Sequence, residues 1–199
     1  MWKFFFKKQI TLSIPKLALQ KSLNLALPLT TEAAGFEISI PKVDLSFMSD
    51  DRMRVTTTLN VQQGIFHAQA ELQFSATLIF REKKFYISDL LIEKTTIGKI
   101  TTSNTNEKES ADNSWENALR SVVKTLNLEE KTASLINTFR PTFEKFLTGT
   151  GGKIISALLE HIPVYSLTDD TRINRMMGAS LISIKMAKEK VKVTLGRRS

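Results

Sequence analysis

The sequence predicts an α+β fold: a long antiparallel β-meander wrapped around a long, kinked helix in the C-terminal half, with an N-terminal helix and a closing β-hairpin. Three observations predict it. First, Phe66 to Arg81 alternates without a break. Phe66, Ala68, Ala70, Leu72, Phe74, Ala76, Leu78 and Phe80 occupy the even positions, and on the odd ones only Ile79 is apolar. A period of two marks a strand with one dry face and one wet face, and at this length it spans about 50 Å. Second, beyond residue 113 the apolar period changes to that of a helix. Third, strands and helices occupy separate parts of the chain, which favours an antiparallel sheet over βαβ units.

The elements follow in order. Ile10–Leu12 is a short extended piece. Ser13 is placed to cap a helix and Pro15 suits its first turn. Leu17, Ala18, Leu19, Leu23, Leu25 and Leu27 supply an apolar helix ended by Pro28, and Thr30–Gly35 reads as a loop. Phe36, Ile38 and Ile40 alternate, as do Val43, Leu45 and Phe47, with Pro41 between them marking an edge or a bend. Ser49-Asp50-Asp51 is a turn. Met53 to Val61 is a strand that a tight Gln62-Gln63-Gly64 connection joins to the long one. Phe85 to Ile92 returns after a charged hairpin at Arg81–Lys84, completing a four-stranded meander.

Residues 101–113 are polar and read as an exposed loop inserted in the domain. Trp115, Ala118, Leu119, Val122, Val123 and Leu126 then share one helical face, and Asn127 with Glu130 resembles a capping arrangement. Leu135, Ile136, Phe139, Phe143, Phe146 and Leu147 continue the apolar face. Pro141 predicts a kink, and Gly149, Gly151 and Gly152 predict the helix end. Ile154 to Ile162 gives a further helix, stopped by Pro163. Val164–Leu167 is extended, Thr171–Met177 is one helical turn or two, and Leu181–Met186 with Val191–Leu195 is the final hairpin. The domain organisation is a basic, aromatic segment over residues 1–9 and one α+β domain over 10–199.

Charge is concentrated at the ends. Lys3, Lys7, Lys8, Lys16 and Lys21 precede the first acid, Glu32, and from Thr171 onward eight basic residues face one acid, within a net charge of +8. Basic ends suit an anionic membrane surface or nucleic acid. The basic tail has no aromatic residue to stack on bases, which argues against nucleic acid. Lys188, Lys190 and Lys192 read instead as the guard of a solvated edge strand. The apolar run Phe4–Phe6 is shorter than the core of a signal peptide, and no stretch approaches a membrane span.

The sequence offers little reaction chemistry. Without cysteine there is no disulfide, thiolate metal site or thiol nucleophile. The two histidines, His67 and His161, would need a carboxylate brought by the fold to hold a metal, and both read as surface residues. Gly149-Thr150-Gly151-Gly152-Lys153 lacks the spacing of a phosphate loop and follows a helix. The pairs Asp50-Asp51, Glu129-Glu130 and Asp169-Asp170 fit turns or caps. The chain therefore reads as a non-enzymatic monomer without cofactor or metal. Its functional signal is apolar capacity: Ala68, Ala70, Leu72, Phe74, Ala76 and Leu78 on the long strand, opposite Phe139, Phe143 and Phe146 on the helix, form a candidate groove for a lipid acyl chain. The alanines leave room either for the helix to approach or for the ligand.

Several phrases resemble the YceB-like family of small bacterial envelope lipoproteins of unknown function. They are ITLSIPKLALQKSL, IPKVDLSF, RVTTTLNV, AELQFSATLIF, KKFYISDLLIEKTTI and HIPVYSL, which with a closing strand pair cover Ile10–Ile97 and Leu128–Leu195. The resemblance implies a sheet wrapped around a long helix, akin to half of a tubular lipid-binding (TULIP-like) module. It also implies a periplasmic or envelope location through a lipidated cysteine, whereas this sequence has no cysteine, and the cytoplasm stays open as a location. It carries no catalytic residues. The reading that competes with a lipid-binding module is a structural or protein-interaction domain with a filled core, docking through its basic ends to a partner or an anionic membrane.

Overall fold

The computed structural model describes residues 9–48, 50–102, 128–167 and 180–196. The described chain forms two antiparallel sheets and a long interrupted helix. Strands β2 (Leu29–Ala33), β3 (Phe36–Phe47), β4 (Met53–Gln63), β5 (Phe66–Arg81), β6 (Lys84–Thr102) and β7 (Pro163–Ser166) make a six-stranded sheet in that spatial order. Strands β1 (Gln9–Pro15), β8 (Ser180–Ala187) and β9 (Lys190–Gly196) make a three-stranded sheet in the order β1-β9-β8. Helix α1 (Lys16–Asn24) follows β1. Helix α2 (Leu128–Phe146), a π-helical turn (Leu147–Gly151) and helix α3 (Gly152–Glu160) follow one another directly. The α+β class, the antiparallel meander, the long helix and the closing hairpin all stand as the sequence predicts.

The alternation of β5 sets the architecture. Its even residues from Ala68 to Leu78 are buried, and they pair with inward residues of β4: Val61 with Ala68, Leu59 with Ala70, Val55 with Phe74 and Met53 with Ala76. Thr57, opposite Leu72, is buried on the same face and donates its hydroxyl proton to the Leu72 carbonyl at 3.3 Å. Helix α1 presents Leu19 and Leu23 to the same core. It is tied to β3 through Gln20, whose amide donates to the Val43 carbonyl and accepts the Leu45 N–H at 2.8 Å.

The structure corrects several details. Thr30–Gly35 is not a loop: Leu29–Ala33 is an edge strand, joined to β3 by Ala34 and Gly35, both with positive φ (51° and 77°). Two such residues make the tight hairpin whose twist matches its strands. Ser13 does not cap α1, because it is paired with Lys192 within β1–β9, and Pro15 takes the cap position instead. Pro41, by contrast, marks an edge and a bend as expected: β2 pairs with β3 only as far as Ile40, and on the other side the β3–β4 ladder shifts register between Ser39 and Lys42, so the missing N–H falls where β3 is unpaired and bulged.

Pro141 lies within α2, and the long helix leaves helical geometry at Gly149 (φ −106°, ψ −112°) rather than at the proline. The glycine stretch thus breaks the helix as expected, and α3 restarts directly at Gly152. Strand β6 runs well past Ile92 and absorbs Thr101 and Thr102 from the expected loop. Strand β9 is the centre of its sheet, so Lys190 and Lys192 guard no edge. The rest of the 101–113 loop, the Trp115–Leu126 helix, the Asn127 cap, the Thr171–Met177 turn and nearly all of the 1–9 segment lie outside the described residues.

Candidate functional site

The candidate groove lies between the inner face of the six-stranded sheet and the α2–α3 helix. Each sequence-predicted residue faces this interior. Ala68, Ala70, Leu72, Phe74, Ala76 and Leu78 are buried on β5, and Phe139, Phe143 and Phe146 are buried on α2. The helix packs mainly over β6. Phe139 stacks on Phe66 at the start of β5 (centroids 4.6 Å apart), while Gly152 meets Ile92, the partner of Phe74.

Aromatic rings fill the end of the interior near β3. Phe146 stacks on Phe36 with centroids 4.1 Å apart, and Phe139 and Phe143 lie 5.7 Å from each other and 6.3 and 6.2 Å from Phe36. Offset contacts of this kind add to the burial energy. Ala68 and Ala70 fall between the Phe66 and Phe74 levels, where the helix carries its phenylalanines.

The glycines of the helix have a packing role that the sequence reading missed. A Cβ at Gly152 would overlap Ile92 Cδ1 and lie 2.5 Å from the Leu147 carbonyl oxygen. One at Gly151 would lie 2.5 Å from Phe146 Cε1. Backbone therefore approaches side chain directly, Gly152 against Ile92 of the sheet and Gly151 against Phe146 of α2. The Gly149–Lys153 stretch is the junction of two helices and follows no strand, unlike a phosphate loop.

The seam is closed on one side only. Along β6 the inward residues are the partners of the β5 inner row: Ile100 of Ala68, Ile97 of Ala70, Thr95 of Leu72 and Ile92 of Phe74. Ile92, Thr95 and Ile97 are only half-buried, while Leu72 and Phe74 beside them are fully buried. The Thr95 hydroxyl oxygen is itself shielded from solvent and has no hydrogen-bond partner among the described residues. This stretch was missed because the return strand was expected to end at Ile92. Its signal was present in the spacing of Ile92, Thr95, Ile97 and Ile100, obscured by bulges that break strict alternation. Two residues of β6, Gly98 and Lys99, face the single residue Gln69.

The outer face of the sheet carries a different feature, an open trough of about 770 Å3. Its floor is made of two cross-strand rows, Thr30–Ser39–Asn60–Gln69 and Glu32–Glu37–Gln62–His67–Thr101, with Lys99 beside them. His67 is thus a trough residue. His161 lies just past α3, its Nδ1 2.6 Å from the Ala157 carbonyl oxygen. Among the described residues no group of three or more His, Asp or Glu side chains is arranged to hold a metal ion. The acids of Asp50-Asp51 serve a turn, as the sequence suggests, and Asp51 also accepts the Met186 N–H from β8 at 2.8 Å. Among the described residues no helix is long and apolar enough to cross a membrane.

No protein-family model and no curated protein sequence matches the chain.

Proposed function

We propose that the chain is a non-enzymatic module of the bacterial envelope that takes an acyl chain, or a similar apolar ligand, between the β5–β6 inner face and the α2–α3 helix. The observation that carries this reading is the half-covered row Ile92, Thr95 and Ile97, with its unpartnered hydroxyl, on the rim of an otherwise sealed apolar interior. A buried hydroxyl without a partner is costly, so a ligand carboxylate or hydroxyl reaching Thr95 would gain what the protein leaves unmet. The apolar tail would lie against Ile92, Ile97 and the alanine stretch of β5, displacing the phenylalanines of α2. The interruption at Gly149 allows α2 to yield while α3 stays seated on Ile92. The likeness to the envelope lipoproteins supports the same reading, and so does the sheet-around-helix architecture.

A second reading, a structural or protein-interaction domain with a filled core, is favoured by the stacked rings of Phe36, Phe66, Phe139 and Phe146. Uptake of a fluorescent fatty acid by purified protein, with mass spectrometry of lipid carried through purification, separates the two. The carrier reading expects saturable uptake that Thr95→Val weakens several-fold. Protein that is lipid-free and takes up no probe would leave the filled-core reading in place.

A further inference from the structure

The geometry points to a membrane-docking surface at the junction of α1 and the β8–β9 turn, one that fits an anionic lipid bilayer. This inference goes beyond the proposed carrier function and is independent of what lies between the sheet and the long helix. It starts from a helix that buries one face and leaves apolar residues on the other. Leu19 and Leu23 of α1 are fully buried, yet Leu17 is 77% and Leu25 81% exposed. At helical spacing Leu17, Lys21 and Leu25 fall on one stripe, about 80° wide. Two leucines so far out of contact contribute nothing to the fold's own core.

The surroundings of this stripe are basic. The Lys16 N–H donates to the Glu189 carbonyl at 2.9 Å, which places the first turn of α1 against the tip of the last hairpin, Lys188-Glu189-Lys190. Lys190 is paired with Pro15, the residue just before α1. Two pairs further along the sheet, Lys185 and Lys192 face each other across neighbouring strands, and both are exposed. Like charges directly opposite are unfavourable in a free sheet, and an anionic surface relieves them. Among the described residues, none of Lys16, Lys21, Lys185, Lys188, Lys190 and Lys192 has an ion-pair partner. Exposed leucines that share their stripe with Lys21 and sit on a helix whose first turn meets a lysine-bearing hairpin combine apolar insertion at the acyl boundary with attraction to acidic headgroups. A soluble acidic partner would use the lysines but leave both leucines unexplained.

The test is co-sedimentation of the full chain with vesicles of phosphatidylcholine containing about one-third phosphatidylglycerol, against vesicles of phosphatidylcholine alone. The expected result is binding to the anionic vesicles that weakens with added salt. Leu17→Asp/Leu25→Asp should reduce it by at least ~10-fold, and Lys188→Glu/Lys190→Glu by roughly five-fold or more per lysine. All four substituted residues are exposed or intermediate on the surface, and an unchanged circular-dichroism melt would show that the variants fold. The inference is overturned if wild-type protein does not bind anionic vesicles at low salt. It is also overturned if binding survives the leucine variants at wild-type strength, which would mean a purely electrostatic contact or another surface. Finally, it is overturned if a soluble polyanion such as polyglutamate binds more tightly than the vesicles and with the same loss in the lysine variant.

Discussion

The inner rows of β5 and β6 are hydrogen-bonded neighbours that meet the same helix, and they end up in different states. Every even residue of β5 from Ala68 to Leu78 is excluded from solvent, while Ile92, Thr95 and Ile97 of β6 stay half-exposed. Unbroken alternation is one reason. A strand that keeps its period presents a continuous face that a helix can cover from end to end. Strand β6 is bulged at three places against β5, and each bulge re-aims the side chains around it. Regular pattern produces sealed core, and irregular pattern leaves a seam. The place to look for a ligand is where the pattern fails, not where it is cleanest.

The contrast can be broken or sharpened by substitution. The largest effect is expected for Phe74→Asp, which buries an unpaired charge at a fully enclosed site and should prevent folding, read as loss of the cooperative thermal transition. Next comes Gly152→Ala, which sets a methyl group against Ile92 and the Leu147 carbonyl. A loss of about 1–3 kcal/mol is expected in chemical denaturation. Thr95→Val should move the other way. Removing the unpartnered hydroxyl leaves stability unchanged or raises it by about 1 kcal/mol, while the same variant loses fatty-acid affinity. A marked destabilisation would mean that the hydroxyl serves the fold itself. The smallest effect belongs to Gln73→Asp, next to Phe74 in sequence but on the polar face and opposite Lys94. It should shift stability by no more than about 0.5 kcal/mol. Equal tolerance of Phe74→Asp and Gln73→Asp would dismantle the two-faced account of β5.

Much of this fold was legible in the residues. The bounds of β5 were readable from its alternation alone, and the Phe-bearing face of α2 from its helical spacing, because both elements bury one continuous face. Elements whose identity depends on tertiary pairing were not legible. Strand β2 is a short stretch with two threonines and becomes a strand because β3 offers it an edge. The kink expected at Pro141 followed local propensity, whereas the helix leaves helical geometry only at Gly149, where the glycines were expected to break it. The lysines of β9 looked like edge protection because the pairing of β1 with β9 joins segments near opposite ends of the sequence. For the site, the filled half was readable from apolar spacing. The half-open seam at Thr95 was hidden by bulges, and the outer trough exists only through the register of five strands.

The pairing of Gln9 with Gly196 has a consequence for assembly. Strands β2 to β6 are joined by short turns and can form as the chain is made, each pairing with the one just before it. The small sheet is a different case, because β1 has no β9 to pair with until the whole meander and the long helix have been made. The lysine-rich hairpin and the first turn of α1 are therefore brought together only after the meander, around strands already standing. Shortening the chain at β9 would strand β1 and leave the α1 junction unbuilt, while the pairings within the meander would all remain available.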